Sequence, residues 1–149
     1  MKTKSFIIAI TSVILMIACK DENQAIVDNI SGAWKIEEII YAQIGQATPD
    51  SVVKYPKSIF QFDNCELTGS NRQSTGYYNI NGNEKINIHY GISASYNETF
   101  ISVMDSKTPK INLQDSYKVT VKGNSMTMLG PQSGIVNYQG KTVTVKLSK

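Results

Sequence analysis

The sequence predicts an all-β protein: an antiparallel up-and-down β-barrel of about eight strands behind one short helix. Three observations carry this. From residue 32 onward, β-branched and aromatic runs alternate with polar residues. Gly, Asn, Asp or Pro punctuates those runs at intervals of roughly 8–12 residues, the rhythm of a barrel or sandwich. Each run has one apolar face, and closing the sheet gathers those faces inside while removing exposed edges.

The elements follow in order. Glu22 to Asn29 is the expected helix, with Ala25, Ile26 and Ile30 as its apolar stripe and Gly32 as its stop. GAWKIEEIIYAQ (32–43) alternates Trp34, Ile36 and Ile40 against Lys35, Glu37 and Tyr41, with Glu38 interrupting the apolar face. Adjacent strand residues point to opposite faces, which sets Glu37 and Glu38 apart. A loop containing a brief strand at Val52-Val53 leads to KSIFQFD, where Phe60 and Phe62 share a face and CELTGS is the expected hairpin partner. STGYYNIN places Tyr78 with Ile80, and Asn81-Gly82-Asn83 is a turn. KINIHYG sets Ile86, Ile88 and Tyr90 against Lys85, Asn87 and His89. In ETFISVM, Phe100, Ser102 and Met104 lie opposite Ile101 and Val103, and Phe100 is assigned inward. Tyr117, Val119 and Val121 share the next strand, Gly123-Asn124 turns, and Met126 pairs with Met128. Gly130-Pro131 is a chain break, followed by IVNY and KTVTVKL.

The N-terminal stretch has a different texture. MKTKS carries two lysines, and Phe6 to Ile17 is uncharged. That run is too short to span a bilayer, which takes about 20 apolar residues. A basic start, a short apolar stretch and a small residue before the cut are the parts of a secretory signal. Met16-Ile17-Ala18-Cys19 resembles the lipobox of bacterial lipoproteins, with Met16 where that family usually has Leu. The resemblance implies cleavage before Cys19 and acylation of its thiol. Two acyl chains already hold a protein stably on a membrane. Lys20-Asp21-Glu22 is similar to the export tract of Bacteroidetes lipoproteins, which implies an outer-membrane, cell-surface location. The division implied is a signal peptide at 1–18, a lipidated tether and helix at 19–30, and a barrel domain at 31–149.

Composition narrows the partners. Without Lys2 and Lys4 the formal charge falls from +3 to +1, and Arg72 is the only arginine, so no basic patch for nucleic acid is expected. With Cys19 carrying lipid, Cys65 stands alone, which argues against a disulfide and against a cysteine metal cluster. No metal or other cofactor is expected. His89, the single histidine, is expected in solvent with no nucleophile tied to it by motif. The expectation is a protein that is not an enzyme.

Gly32-Ala33-Trp34 at the start of the first strand, after a short helix, resembles the opening of lipocalins. ISGAWKIEEI, SIFQFDN, TGYYNING and YKVTVKGNSMTML are similar to the lipocalin-like domain of Bacteroidetes lipoproteins, over about residues 31–148. Physically, Gly32 lets the chain turn tightly and Trp34 plugs one barrel end. Lipocalins also lay an arginine from the last strand over that ring, whereas the last strand here offers Lys141 and Lys146. Eight strands enclose a lumen that is either filled by side chains or open to one small ligand. Phe60, Phe62, Tyr78, Ile80, Ile88, Tyr90, Phe100 and Val119 are the inward candidates. Asp50-Ser51-Val52 fits the Bacteroidetes O-glycosylation pattern, which makes Ser51 a candidate acceptor in an expected exposed loop. The functional expectation is non-catalytic binding of a small apolar or amphipathic ligand in the barrel. The alternative is a packed barrel that docks another envelope protein.

Overall fold

A computed structural model describes residues 22–46, 48–69, 72–106, 113–131 and 140–149. Cys19, Lys20, Asp21 and the expected strand IVNY lie outside them. The fold is a closed, eight-stranded, antiparallel up-and-down β-barrel with one short helix, lipocalin-like in plan.

Helix α1 spans Glu22–Ile30. Its buried side chains are Val27 and Ile30 and Ile26 packs against the core, so the expected stripe holds at Ile26 and Ile30, while Ala25 is exposed and Val27 takes its place. Strand β1 (Gly32–Gln43) follows at once, with Gly32 at φ +108°, a conformation open to glycine and strained for other residues. The remaining strands are β2 (Ser51–Lys54), β3 (Ile59–Phe62), β4 (Gln73–Asn79), β5 (Ile86–Ser95), β6 (Glu98–Asp105), β7 (Asp115–Lys122), β8 (Ser125–Pro131) and β9 (Lys141–Ser148).

Pairing runs β1-β3-β4-β5-β6-β7-β8-β9, and β9 closes on β1. The first half of β1 pairs β3 and its second half pairs β2, both antiparallel, so β2 and β3 are one barrel strand interrupted at residues 55–58. Pro56 has no N–H to offer a ladder, and Ser58 N donates back to Tyr55 O at 3.1 Å, closing a tight turn at the interruption.

A β-bulge lies opposite this interruption. On β9, Leu147 faces Ile36 and Lys146 faces Glu38, which leaves Glu37 as an extra residue. The bulge reverses the alternation. Trp34, Ile36 and Ile39 are buried, Ile40 turns outward, and Tyr41 packs against the core. It also corrects the separation of Glu37 and Glu38: both carboxylates lie on the outer face, Glu37 bonded to Lys35 and Ser148, Glu38 to Lys146.

Three further expectations are corrected. Cys65 to Gly69, the described part of CELTGS, forms no strand, and β3 pairs β4 directly. In β6 the buried pair is Ile101 and Val103, while Phe100 is half-buried on the outer face. Both faces of that strand are apolar, so alternation alone could not choose between them. Gly130-Pro131 does not break the chain but completes β8, with Pro131 as its last residue. A Cβ at Gly130 would sit tightly against the Tyr117 ring, 3.0 Å from its nearest atom.

Two barrel ends result. The helix end carries α1, the β3–β4 connection, the β5–β6 and β7–β8 hairpins and Lys149. The far end carries the β1–β2 connection, the Asn81-Gly82 turn and the β6–β7 and β8–β9 connections. Asn81 and Gly82 both have positive φ, and Asn83 N donates to Ile80 O at 3.1 Å, the geometry of a type I′ turn.

Candidate functional site

The lumen is the first place to look in a small barrel, and here side chains occupy it. Phe60, Phe62, Tyr78, Ile80, Ile88, Tyr90 and Val119 are all buried. Phe60 stacks on Phe62 with centroids 4.6 Å apart, and Tyr90 meets Phe62 edge-on at 5.2 Å. Tyr78 tilts against Phe60 at 5.7 Å. Offset and edge-to-face pairs of this kind stabilise by about 0.5–1.5 kcal/mol beyond the area they bury. The β4 and β5 alternation that places Tyr78, Ile88 and Tyr90 inward was legible in the sequence. Phe100 does not join them, and Ile101, Val103, Tyr117, Met126 and Met128 complete the packing.

Three tyrosine hydroxyls of the core are bound within the fold. Tyr90 donates to Asp63 O at 2.8 Å, Tyr117 to Leu113 O at 2.9 Å and Tyr78 to Asp105 Oδ2 at 2.8 Å. Burial pushes all three phenols up, Tyr90 to about 12, so they stay protonated donors at neutral pH. Asp105 sits at the far end with its second oxygen, Oδ1, buried and unbonded. Burial raises its carboxyl above the ordinary value, and the Tyr78 hydrogen bond only partly offsets that.

At the helix end, Trp34 is buried and its Nε1 donates to Ile30 O at 2.6 Å, tying β1 back to α1. The cation over its ring is Lys149, 4.4 Å from the centroid, which also donates to Ser31 O at 3.0 Å. The last strand holds no arginine to cover the ring, and the cation that does so lies one residue beyond it, a contact with no motif of its own in the sequence. Lys146 instead pairs with Glu38 and Lys141 with Asp50. Gln24 of α1 donates to Cys65 O at 3.1 Å and accepts from Leu67 N at 2.8 Å, fastening the helix to the β3–β4 connection. Glu22 is the first residue of α1, an acid at the end where the helix dipole favours one.

Cys65 is a free, half-buried thiol with Sγ 3.9 Å from Thr75 Oγ1. Burial alone would raise it, but hydrogen bonds from Ser74 and Thr75 outweigh that and hold it below its ordinary value. His89 is exposed on the outer face, opposite Met104 and Thr75. Among the described residues, no three of His, Cys, Asp and Glu converge as metal ligands would. Ser51 is exposed, but as the first residue of β2 opposite Tyr41 rather than in a loop.

The outer face carries a feature that the sequence hid. One ladder row, read from strand to strand, runs Val52, Ile40, Thr144, Leu129, Lys118, Phe100. Val52 is 48% exposed and Leu129 45%. Directly opposed residues on one sheet face touch, so Val52, Ile40 and Leu129 make an aliphatic band with only Thr144 between. The bulge at Glu37 puts Ile40 in this row; without it Ile40 would point inward. No protein-family model matches the chain, and no curated protein or solved structure shows significant similarity to it.

Proposed function

We propose that this chain is a lipid-anchored lipoprotein of the outer-membrane surface whose barrel is a non-catalytic docking module for another envelope protein. The filled lumen carries this reading. Inward side chains are packed against one another, and the hydroxyls of Tyr90, Tyr117 and Tyr78 are already bonded to Asp63, Leu113 and Asp105. A carrier of small apolar molecules needs room where Phe60, Phe62 and Tyr78 meet. The outer Val52–Ile40–Leu129 band gives the docking module an apolar contact surface. The anchor is supported by Met16-Ile17-Ala18-Cys19, and surface display by Lys20-Asp21-Glu22.

Native mass spectrometry of the acylated protein isolated from its own cells tests the reading. The expected result is a bound protein that Leu129→Glu removes while the barrel stays folded. A stoichiometric small molecule retained by the parent would reverse it in favour of the ligand-binding barrel. Cys19→Ala should release the protein from membranes, and continued membrane attachment refutes the anchor.

A further inference from the structure

We infer that the helix end of the barrel rests on the lipid surface, with Tyr96 seated among the headgroups and the far end turned away from the membrane. The inference rests on acylation of Cys19. Three peptide bonds lead from Cys19 to Glu22, where α1 begins. At no more than 3.8 Å between successive Cα atoms, that tether reaches about 11 Å when fully extended. The headgroup layer itself is roughly 5–8 Å deep on each side of the bilayer. The start of α1 is therefore held close to the membrane.

The start of α1 is also held to one end of the barrel. Gln24 bonds both Cys65 O and Leu67 N in the β3–β4 connection, and α1 packs against β5. β5 leads straight into the hairpin whose two central residues are Tyr96 and Asn97, with Ser95 opposite Glu98. A tether too short to let the domain stand off brings this end down to the lipid.

Tyr96 breaks two local rules at that place. It is 98% exposed, the most exposed of the large hydrophobic side chains among the described residues. Its φ is +49° and that of Asn97 is +63°, the two positive values of a type I′ hairpin. Such a turn favours Asn, Asp or Gly at its first central position, and a bulky aromatic there is strained. An aromatic held in an unfavourable backbone conformation with nothing packed on it marks a contact outside the chain. Tyrosine is suited to a headgroup layer, with an apolar ring and a hydroxyl that stays wet.

The test uses the full acylated chain reconstituted into phospholipid vesicles with bromine-labelled acyl chains. Tyr96→Trp and Ile44→Trp each add one indole, while Trp34 is buried and its emission reports that the barrel is intact. Ile44 is 65% exposed in the β1–β2 connection at the far end. The added emission of Tyr96→Trp should be quenched by brominated lipid and shielded from aqueous iodide, and that of Ile44→Trp the reverse. Equal iodide quenching at both positions, or lipid quenching at both, overturns the orientation. Palmitate labelling reports the anchor separately. A labelled protein whose Tyr96→Trp indole is aqueous keeps the anchor and loses the orientation. An unlabelled Cys19 removes the tether and the inference with it.

Discussion

Lys149 Nζ stands 4.4 Å from the centre of the Trp34 ring and donates to Ser31 O at 3.0 Å. One ammonium thus joins the residue after β9 to the ring that begins β1 and to the linker from α1. A cation over an indole contributes about 0.5–1 kcal/mol where solvent reaches it. Lys149→Met should lower urea stability by about that amount, and Lys149→Arg should restore it. Trp34→Ala should cost ~3–5 kcal/mol, because it empties the base of the core. Equal stability of Lys149→Met and Lys149→Arg would show that the cation contributes nothing.

The bulge at Glu37 makes an unusual pair of predictions. Ile39→Ala should cost about 2–5 kcal/mol, as for a buried aliphatic, while Ile40→Ala should cost less than about 1 kcal/mol. Strict alternation from Trp34 predicts the opposite order. Deleting Glu37 should be tolerated, since Ile36, Glu38 and Ile39 then alternate regularly and every later side chain keeps its face. Urea denaturation of the three variants decides the matter, and a larger loss at Ile40 than at Ile39 would contradict the bulge.

Two glycines differ in how much room they have. A Cβ at Gly76 would overlap the backbone carbonyl oxygen of Gln61, which cannot swing aside. A Cβ at Gly130 would meet the Tyr117 ring at 3.0 Å and Ser116 O at 3.1 Å, contacts relieved by small shifts. Gly76→Ala should cost at least the 1–3 kcal/mol typical of overpacking, and Gly130→Ala no more than about 1 kcal/mol. The order of their melting temperatures is the measurement.

Asp105 should make stability depend on pH in the acid range. Burial raises its carboxyl in the folded protein, so the folded chain takes up a proton more readily than the unfolded one. Its contribution is most favourable where both states are protonated, falls as pH rises through the raised range, and is flat above it. Asp105→Asn keeps an acceptor for Tyr78 and removes the buried charge. It should melt higher than the parent at neutral pH, with the gain shrinking as pH falls toward the ordinary carboxylate value of ~4. A lower melting temperature at neutral pH would show that the carboxylate is better accommodated than its unbonded Oδ1 suggests.

Much of the fold was legible because turn residues and single-faced strands agreed. Phe60 and Phe62 share a face, as do Ile88 and Tyr90, and Asn81-Gly82 marks the turn between Tyr78 and Ile88. Where alternation failed, the cause is physical in each case. Ile40 was assigned inward because a bulge leaves no composition signal of its own. Phe100 reads as inward from sequence alone because β6 is apolar on both faces, and the choice between them depends on how β5 and β7 pair. Lys149 was overlooked because it reaches Trp34 only after the sheet has closed. The outer Val52–Ile40–Leu129 band was invisible for both kinds of reason: it needs the bulge and the closure together.

Closure itself has a temporal consequence. The β1–β9 pairing joins positions from 98 (Gln43 and Lys141) to 113 (Lys35 and Ser148) residues apart, as in the Lys146–Glu38 bond at a separation of 108. Distant pairings slow folding, because the entropy of bringing the segments together is lost before their contacts form. The first strand therefore waits for the last, and a chain still being synthesised lacks its closing partner. Until that seam anneals, β1 and β9 are two open edges that the hairpins between them cannot cover.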